Sequence, residues 1–554
     1  MHATLENILQ SAVQKYKPLF NALHSEHERE GLLRWKNRME KSIADCKKPK
    51  QRRIDFIVAK GIQHLRDMGV VLKQTDKNLG LVAMHPHIYH MMVMSHLNDR
   101  NTYQRVQQFP YDAIINRVRN IMHLCRLPRY QKTKLLDQTR HASQEPASFY
   151  AMPKIHKKKL HASRPIAAQH SYVLTPLSRA LARVLVEEVQ KISSIPTNSK
   201  QVAQTLDQFV FQNDGVFLTF DVEACYPNID QRDSLKILGE NVPVLSEHGG
   251  FWLKILQLIL FNNYVEYDDQ IYRQMEGTAM GTAVAPPYAN LYLHYKFDTV
   301  LSQYDDRLQF YRRFIDDGFA IVDSIGTGLQ LMRDLNSCSN MSLTHELSQN
   351  HAIFLDFEIY KGVRFTQNRM IDFRPYFKPT NRFLYLPACS NHPSYMQLSI
   401  IRGEAIRCLR NSSNKIVWLE SMHKIFKGLI ARGYQGFDIQ RRWRSVRWED
   451  RQKWLYNAGG EAERPDGIIV TTRYHPLTTN VWKRLTKLHA PTRQLRPRTM
   501  SYNVRQKAVI DAWPPTIVFK EFRKIGNVLV KARDTGKQED GTRRLNLNQL
   551  STTI

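Results

Sequence analysis

Two adjacent carboxylates, Asp316 and Asp317, lie between two apolar runs in the segment YRRFIDDGFAIV, residues 311–322. This pattern predicts an apolar strand, a tight turn and a second apolar strand. Because two like charges held together cost free energy unless cations lie between them, the turn is a candidate Mg²⁺ site for phosphoryl transfer. The alternative is a solvated Asp-Asp turn, as expected for Asp268-Asp269 and Asp305-Asp306 of the same chain.

A third carboxylate upstream distinguishes Asp316-Asp317 from the other pairs. In GVFLTFDVEACYPNID, residues 215–230, a short apolar run predicts a buried strand that ends on Asp221. Two Mg²⁺ ions about 4 Å apart need bridging carboxylates on rigid elements. Asp221, Asp316 and Asp317 are therefore predicted to be catalytic and metal-ligating. In two-metal nucleotidyl transfer, one ion activates a 3′-hydroxyl and the other neutralises the triphosphate.

A loop of small residues separates these two segments in the sequence. It begins QMEGTAMGTAVA at residue 274, and a helical pattern follows from Pro286. Gly277 and Gly281 allow close approach of the backbone to another group. Such a loop can accept a flat base and a sugar, and the alternative is a loop that only packs.

The order and spacing of the three segments resemble motifs A, B and C in the palm of reverse transcriptases. The residues themselves resemble Penelope-like retroelements, the sister group of telomerase catalytic subunits, from about Gln74 to about Arg533. The matching segments are TDKNLGLVAM (75–84), FYAMPKIHK (149–157), RPI (164–166), FDVEACYPNID (220–230), GTAMGTAVAPPYANLYL (277–293), RRFIDD (312–317), FLDFEI (354–359), FKPTN (377–381) and the region from SNHP to IIRGEAIRCLR (390–410).

The resemblance implies an α+β right-hand polymerase fold, with fingers, a palm built on an antiparallel sheet, and a helical thumb. Strand-like runs within residues 341–380 are expected to complete the palm sheet and to form the primer grip. The expected regions are an N-terminal helical basic region (1–69), fingers (70–200), palm with motifs A, B and C (201–362), primer-grip region (363–389), basic helical thumb (390–533) and disordered tail (534–554).

The resemblance also implies which residues bind the incoming dNTP. Lys154 and Arg164 fall on opposite arms of a predicted hairpin, where two cations could neutralise the charge of a triphosphate. Tyr226 follows Asp221 at the offset of the steric gate that rejects a ribose 2′-hydroxyl, although it could also be an aromatic packed under the strand. Gln274 and Gly277 complete the predicted dNTP contacts.

Four basic residues are predicted to contact nucleic acid. Lys77 lies at the tip of a predicted hairpin, residues 70–84, where it could touch template or nucleotide or serve only the turn. Arg441, Arg442 and Arg444 alternate with tryptophans in the expected thumb and could clamp a duplex backbone. The alternative is an amphipathic helix with buried tryptophans.

The charge of the chain favours a polyanionic partner. Its 554 residues carry 80 Lys and Arg against 51 Asp and Glu, a net charge of +29, and residues 401–554 alone hold 31 against 13. The expected partners are an RNA template, a DNA primer and dNTPs, with no membrane and no obligate protein partner. The basic run KKPKQRR, residues 47–53, could be a nuclear import signal or phosphate contacts, and it favours a nuclear location.

The function implied is an RNA-directed DNA polymerase that extends a DNA 3′ end on an RNA template with two Mg²⁺ ions, or with Mn²⁺. The alternative is an inactive, element-derived nucleic-acid-binding protein. An RNA polymerase with the same palm is disfavoured by Tyr226. The sequence holds no Cys/His linker or GIY-YIG endonuclease, so we expect an endonuclease-lacking member of the family, or a truncated copy or gene model. Six cysteines without CxxC pairing indicate reduced thiols.

Overall fold

The computed structural model describes residues 60–456, except 62, 66, 126, 156, 158–161, 340 and 391, together with two strands at 469–473 and 516–520. The basic run at 47–53, most of the predicted N-terminal region and the predicted disordered tail lie outside the described residues.

Short strands carry the catalytic motifs and the fingers. In chain order they are β1 Val71–Gln74, β2 Leu81–Met84, β3 Tyr103–Val106, β4 Ala147–Pro153, β5 Ser163–Ala168, β6 Val216–Val222, β7 Tyr264–Tyr267, β8 Gln270–Gln274, β9 Leu308–Phe314, β10 Asp317–Val322, β11 Leu343–Ser348, β12 His351–Phe354, β13 Phe357–Tyr360, β14 Asp372–Pro375, β15 Ile469–Arg473 and β16 Thr516–Lys520.

Helices connect and support these strands. In chain order they are α1 Pro86–Leu97, α2 Tyr111–Leu124, α3 Arg129–Arg140, α4 Thr175–Gln190, α5 Ser199–Gln208, α6 Cys225–Asn228, α7 Gln231–Asn241, α8 Pro243–Phe261, α9 Ala285–Lys296, α10 Ile325–Ser337, α11 Val363–Asn368, α12 Ser394–Arg410, α13 Lys415–Ala431, α14 Gly436–Trp443 and α15 Arg451–Tyr456.

The palm sheet has four antiparallel strands in the order β11-β6-β10-β9. Its centre is apolar because β6 and β10 carry continuous runs of buried residues, as expected for strands covered on both faces. Phe217 of β6 and Phe319 of β10 are fully buried, with ring centroids 6.0 Å apart. The predicted strand ending near Asp221 and the predicted hairpin around Asp316-Asp317 are both confirmed.

A second sheet of five strands, in the order β3-β8-β7-β4-β5, contains the predicted fingers hairpin. Its strands are antiparallel except for β4 and β7, which pair in parallel. The hairpin β7–β8, which the predicted boundaries assign to the palm, therefore belongs to the sheet of β3 and β4. The turn between them is Asp268-Asp269, both in the left-handed region. The other predicted strand-turn-strand segment is confirmed as the separate pair β1–β2.

The expectation that the runs within 341–380 complete the palm sheet is only partly right. Strand β11 joins the palm sheet, but β12, β13 and β14 form their own three-stranded antiparallel sheet. Pairing of β13 with β14 joins residues on both sides of the predicted palm boundary at residue 362.

The expected thumb begins as a helical unit. Helices α12, α13 and α14 pack around a core that includes Ile401, Leu409, Ile425 and Leu429, all fully buried. Beyond α15, the described part of this region consists of β15 and β16, which pair in parallel, so the region is not entirely helical.

The predicted fold class is confirmed: an α+β chain with an antiparallel palm sheet, a fingers sheet and a helical thumb, as in right-hand polymerases. Within the described residues, no helix has both the length and the apolar character that a membrane crossing requires. The five described cysteines are free thiols. The exact domain boundaries stay a prediction.

A buried ion-pair network joins three separate parts of the chain. The carboxylate of Asp207 on α5 accepts hydrogen bonds from Arg451 Nη1 and Nη2, at 3.2 and 3.0 Å, and from the hydroxyl of Tyr456 at 3.0 Å. Arg364 of α11 adds a contact of 3.3 Å. Because the side chains of Asp207 and Arg451 are only 9% and 6% exposed, the attraction between them offsets the cost of removing each charge from water.

Removing the negative charge should therefore be costly. We expect Asp207→Asn to lower the free energy of unfolding by about 3–5 kcal/mol, because Arg451 would keep a buried charge without a counterion. The matched control is Asp214→Asn, which removes an 80% exposed carboxylate from its pair with Arg369 and should cost at most about 1 kcal/mol. Urea unfolding of the three proteins measures both effects. Equal midpoints for the two variants would contradict the network's role.

Candidate active site

The three predicted catalytic carboxylates meet at one end of the palm sheet. Asp221, near the end of β6, is the direct cross-strand partner of Asp317, the first residue of β10. Directly opposite residues of antiparallel strands have Cα atoms about 4.5–5.5 Å apart. Asp316 lies in the turn just before β10, and its carbonyl oxygen accepts a hydrogen bond from Val222 N at 3.1 Å. The structure thus brings together residues that are nearly 100 positions apart in sequence.

Burial, together with crowding of negative charge, raises the pKa values of Asp317 and Asp221 in this cluster. Burial, followed by the charges of Asp316 and Asp221, raises the pKa of Asp317 to about 6. Burial and the charge of Asp316 also raise the pKa of Asp221, which shares a side-chain hydrogen bond with Asp317. This behaviour is that of carboxylates that cannot all ionise without a compensating cation.

Among the described residues, no group of three or more His, Cys, Asp or Glu side chains is already arranged to hold a metal ion. The chemistry of the cluster nevertheless fits a hard divalent cation, since its donors are carboxylate oxygens and burial, together with their mutual repulsion, raises the pKa of Asp317 and Asp221. The metal-ligating roles of Asp221, Asp316 and Asp317 stay a prediction.

A buried arginine supports the turn that carries Asp316. Arg313 is fully buried, and its Nε and Nη2 atoms each lie 3.1 Å from an oxygen of Asp298. It also donates to the carbonyl oxygens of Asn290 and Ile315, at 3.1 and 3.0 Å. Burial alone would raise the pKa of Asp298, but the Arg313 charge and the hydrogen bonds from His294, Arg313 and Tyr311 together lower it. The Arg313–Asp298 pair is thus charged and almost fully satisfied.

This network holds the backbone of the turn in an unfavourable conformation. Ile315 has φ of +55°, a region that β-branched residues rarely adopt. Its N–H donates to Asn290 Oδ1 at 3.1 Å, and the same oxygen accepts from Arg313 Nη1 at 3.3 Å. Sequence reasoning did not assign Arg313, Asn290 or Asp298, although an arginine inside an otherwise apolar strand was a usable signal.

The predicted dNTP-binding cations lie on the fingers hairpin that faces the carboxylates. Arg164 on β5 is the cross-strand partner of Met152, and Lys154 directly follows β4, with its N–H bonded to Ala162 O at 2.8 Å. Burial and Arg164 lower the pKa of Lys154, whereas Asp76 and Asp221 raise it. Lys154 therefore lies within electrostatic reach of both Arg164 and the catalytic cluster.

Tyr226 lies on α6 between the carboxylates and the fingers. It is half-buried. Burial raises its pKa, the charges of Cys225 and Asp316 act in the same direction, and Arg164 opposes them. The tyrosine is thus near the groups that are expected to hold the triphosphate, as the steric-gate hypothesis requires.

Gly277 connects the small-residue loop to Tyr226. Its N–H donates to Ile229 O at 3.0 Å, and Thr278 N donates to Tyr226 O at 2.8 Å. Gly277 has φ of +70°, and a Cβ there would lie 2.5 Å from the Tyr226 carbonyl oxygen and closer still to that of Pro227. Gly277 therefore packs closely against the backbone of Tyr226 and Pro227, as the alternative of a packing loop expects, and its predicted dNTP contact stays a prediction.

The structure does not make Gln274 available to a nucleotide. Its side chain is 2% exposed, and its amide oxygen accepts from Asn263 Nδ2 at 2.5 Å, while its amide nitrogen donates to Glu276 O at 2.8 Å. The predicted dNTP contact is corrected to a supporting role in the β8 end of the fingers sheet. The burial of Gln274 depends on its hydrogen bond with Asn263, which lies just before β7. The sequence around Gln274 therefore could not predict that its side chain is buried.

Lys77 lies near the fingers cations. It adopts φ of +59° in the turn between β1 and β2, as the turn alternative expects. Partial burial lowers its pKa, and the charges of Lys378, Lys157 and Arg164 act in the same direction. The structure therefore groups Lys77 with other basic side chains and also adds Lys378, which sequence reasoning did not single out.

The thumb tryptophans pack inside the helical unit. Trp443 Nε1 donates to Ile401 O at 3.0 Å, and the rings of Trp418 and Trp448 are 5.9 Å apart. Trp418 is buried, whereas Trp443 and Trp448 are partly buried and pack against the core of this unit, so the alternative of an amphipathic helix with buried tryptophans holds only in part. Arg441 and Arg444 are exposed, whereas Arg442 has a buried Nε without a partner in the described part of the chain. In the part of the chain that the structure describes, none of the contacts of these arginines involves the carboxylate cluster.

A family described as an animal helix-turn-helix domain matches residues 384–444, the part of the chain that contains α12, α13 and α14. The match covers a small share of the chain and does not assign the whole to a family. No curated protein matches the chain.

Among solved structures, a similar one is telomerase from Candida albicans in complex with a fragment of telomeric RNA, with a TM-score of 0.45, 11% identity and coverage of 71% of this chain and 67% of that one. A truncated apo telomerase from Candida tropicalis gives a TM-score of 0.37 at 10% identity, with 52% of this chain and 62% of that chain covered. The Sicinivirus RNA-dependent RNA polymerase gives a TM-score of 0.40 at 10% identity, with 67% of this chain and 90% of that chain covered. The chain thus spans less than two thirds of the truncated telomerase, and likenesses this weak leave its activity to its own residues.

Gly277 is the position where the loop geometry can be tested directly. We expect Gly277→Ala to lower the free energy of unfolding by about 2–3 kcal/mol, because the new Cβ overlaps two backbone carbonyls at a positive φ. The matched control is Gly403→Ala on α12, where nothing lies within 4 Å of a Cβ and a gain of about 0.5–1 kcal/mol is expected. Thermal unfolding compares the two variants. An unchanged melting temperature for Gly277→Ala would contradict the close backbone approach.

Proposed function

We propose that this chain is an RNA-directed DNA polymerase, of the kind found in Penelope-like retroelements, that extends a DNA 3′ end on an RNA template. The observation that supports this most is the placement of Asp221 opposite Asp317 on neighbouring antiparallel strands, with Asp316 in the adjoining turn. A carboxylate cluster on a rigid sheet edge is what two-metal nucleotidyl transfer requires.

The three carboxylates would hold two Mg²⁺ ions, with Mn²⁺ as an alternative. When bound, the ions would supply Lewis-acid stabilisation of the attacking and leaving oxygens. Arg164 and Lys154 would bind the triphosphate from the fingers side and neutralise charge that builds on it. The Arg313–Asp298 pair would keep the turn of Asp316 in one conformation, so that the carboxylates need no reorganisation at the moment of reaction.

The tyrosine at position 226 would select the sugar. Gly277 and Thr278 hold its backbone from one side, so the point from which its ring projects is fixed relative to the small-residue loop. A ring fixed in that place would clash with a ribose 2′-hydroxyl and accept a deoxyribose. Gly277 would contribute to nucleotide binding mainly through this support.

The proposed partners are an RNA template and a DNA primer besides dNTPs. The net charge of +29 favours binding to a phosphate backbone, with an affinity that falls as salt rises. Exposed Arg441 and Arg444 of the thumb and Lys77 of the fingers are the proposed backbone contacts, with Arg442 beside them. A nuclear location would suit these partners.

The catalytic assignment is tested by removing single carboxylates. We expect Asp316→Ala and Asp221→Ala to reduce primer extension on poly(rA)/oligo(dT) by about 100-fold or more in both Mg²⁺ and Mn²⁺. Because each change relieves repulsion within the cluster, neither should lower the melting temperature. The control is Asp305→Ala, from an exposed Asp-Asp pair, which should keep full activity.

Comparable turnover in either cluster variant would remove the catalytic assignment. An inactive wild-type protein that still binds the duplex would favour the alternative of a nucleic-acid-binding protein without polymerase activity.

Sugar choice separates the polymerase classes. We expect the wild type to prefer a dNTP over its rNTP and Tyr226→Ala to lose this preference by about tenfold or more, equivalent to at least about 1.4 kcal/mol of discrimination. Tyr226→Phe keeps the ring and should keep the preference. The measurement is kcat/KM for one dNTP and its rNTP with all three proteins. A wild type that prefers rNTPs would indicate an RNA polymerase, and an unchanged ratio in Tyr226→Ala would place the gate elsewhere.

A further inference from the structure

Asp76 is a buried carboxylate within the basic surface of the fingers. It lies in the turn between β1 and β2, and its side chain is 5% exposed. Its Oδ2 atom is buried and has no hydrogen-bond partner in the described part of the chain. Burying a charged oxygen without a partner is costly, and such groups persist mainly where they serve a purpose.

The other oxygen of Asp76 contacts Arg164, one of the two residues proposed to bind the triphosphate. Asp76 Oδ1 lies 3.5 Å from Arg164 Nε, and the Arg164 side chain is 45% exposed. The ion pair therefore joins the interior to the surface, because the Asp76 carboxylate is buried and the Arg164 side chain is partly exposed to solvent. Because the contact is made through Nε, it leaves the two Nη groups available, and a guanidinium can form paired hydrogen bonds with phosphate oxygens through them.

Asp76 also acts on the other cations of this surface. Burial and neighbouring cations, Arg164 among them, lower the pKa values of Lys154 and Lys77, and the charge of Asp76 opposes this lowering at both lysines. The cations thus repel one another, and Asp76 is a negative charge among them that is not exposed to solvent. Without it, the repulsion would favour conformations in which the basic side chains move apart.

The turn that carries Asp76 is fixed to the fingers sheet. Thr75 donates to Gly80 O through both its N–H and its hydroxyl, at 3.0 and 2.8 Å. Lys73 lies 4.5 Å from the ring centre of Tyr89, whose hydroxyl accepts a hydrogen bond from Ala151 N of β4 at 3.1 Å. A rigidly placed carboxylate can restrain a flexible arginine, which otherwise loses rotamer entropy on binding a ligand.

We propose that Asp76 is a positioning residue for the triphosphate: its carboxylate fixes the Arg164 guanidinium, and the adjacent Lys154, in the orientation that binds phosphate oxygens. The proposal rests on the proposed function, since it takes Arg164 and Lys154 to be the triphosphate ligands. It makes Asp76 a supporting group that does not itself touch the nucleotide.

A purely electrostatic role would have the opposite sign. If Asp76 only adds negative charge near the site, Asp76→Asn makes the surface more positive and should tighten binding of the anionic triphosphate. If Asp76 positions Arg164, the same substitution leaves the guanidinium free to move and should weaken binding.

The experiment is a double-mutant cycle with Asp76→Asn, Arg164→Ala and the combined variant. We expect Asp76→Asn to raise the KM for dTTP about fivefold with kcat nearly unchanged, as suits loss of one partly exposed charge contact. In the Arg164→Ala background, Asp76→Asn should change the logarithm of the KM for dTTP by less than about half as much as it does in the wild type. The matched control is Asp112→Asn, an exposed carboxylate on α2, with an unchanged KM.

The cycle is repeated on the Kd of dTTP for the enzyme–primer–template complex, so that it does not depend on turnover. A lower KM or Kd in Asp76→Asn, or a full additional effect on top of Arg164→Ala, would overturn the positioning role. If Arg164→Ala itself changes neither the KM nor the Kd, the proposed triphosphate site is wrong. This outcome differs from those that overturn only the positioning role of Asp76. Urea unfolding of Asp76→Asn, expected within about 1 kcal/mol of the wild type, excludes a general loss of structure.

Discussion

The register between β6 and β10 is the constraint on which the catalytic cluster depends. Asp221 and Asp317 face each other only in this pairing, because a slip by one residue would turn every side chain of one strand to the opposite face. The register is set by buried side chains such as Phe217 and Phe319, whose packing offsets the repulsion between the carboxylates. The apolar sequence around the acids is therefore as necessary to the site as the acids themselves.

A second cluster of charged side chains, Arg313 and Asp298, supports the turn that carries Asp316. Arg313 and Asp298 carry full charges in the interior, and their hydrogen bonds hold the strained Ile315 at the start of the acidic turn. A hydrophobic replacement could supply equal packing, but it could not bond the carbonyl oxygen of the turn. The network thus supports the conformation of the turn that carries Asp316.

The sequence predicted those features that depend on local patterns. The β9–β10 hairpin, the strand that ends near Asp221 and the β4–β5 hairpin each follow from apolar runs beside turn residues. The pairing of β7–β8 with β3 and β4, the separate sheet of β12–β14 and the burial of Gln274 depend on distant partners, which no local pattern specifies. The burial of Asp76 and Asp207 could not be predicted for the same reason, since it arises only when other elements cover these residues.

The contact between Gly281 and β5 has a mechanical consequence. A Cβ at position 281 would overlap the Ala167 carbonyl oxygen, and Ala167 N donates to Met280 O at 2.9 Å. The strand that carries Arg164 and the loop that supports Tyr226 are therefore fastened to each other by backbone alone. Any movement of the hairpin that carries Arg164 would have to carry this loop with it, so the proposed triphosphate contact and the proposed sugar selection would change together.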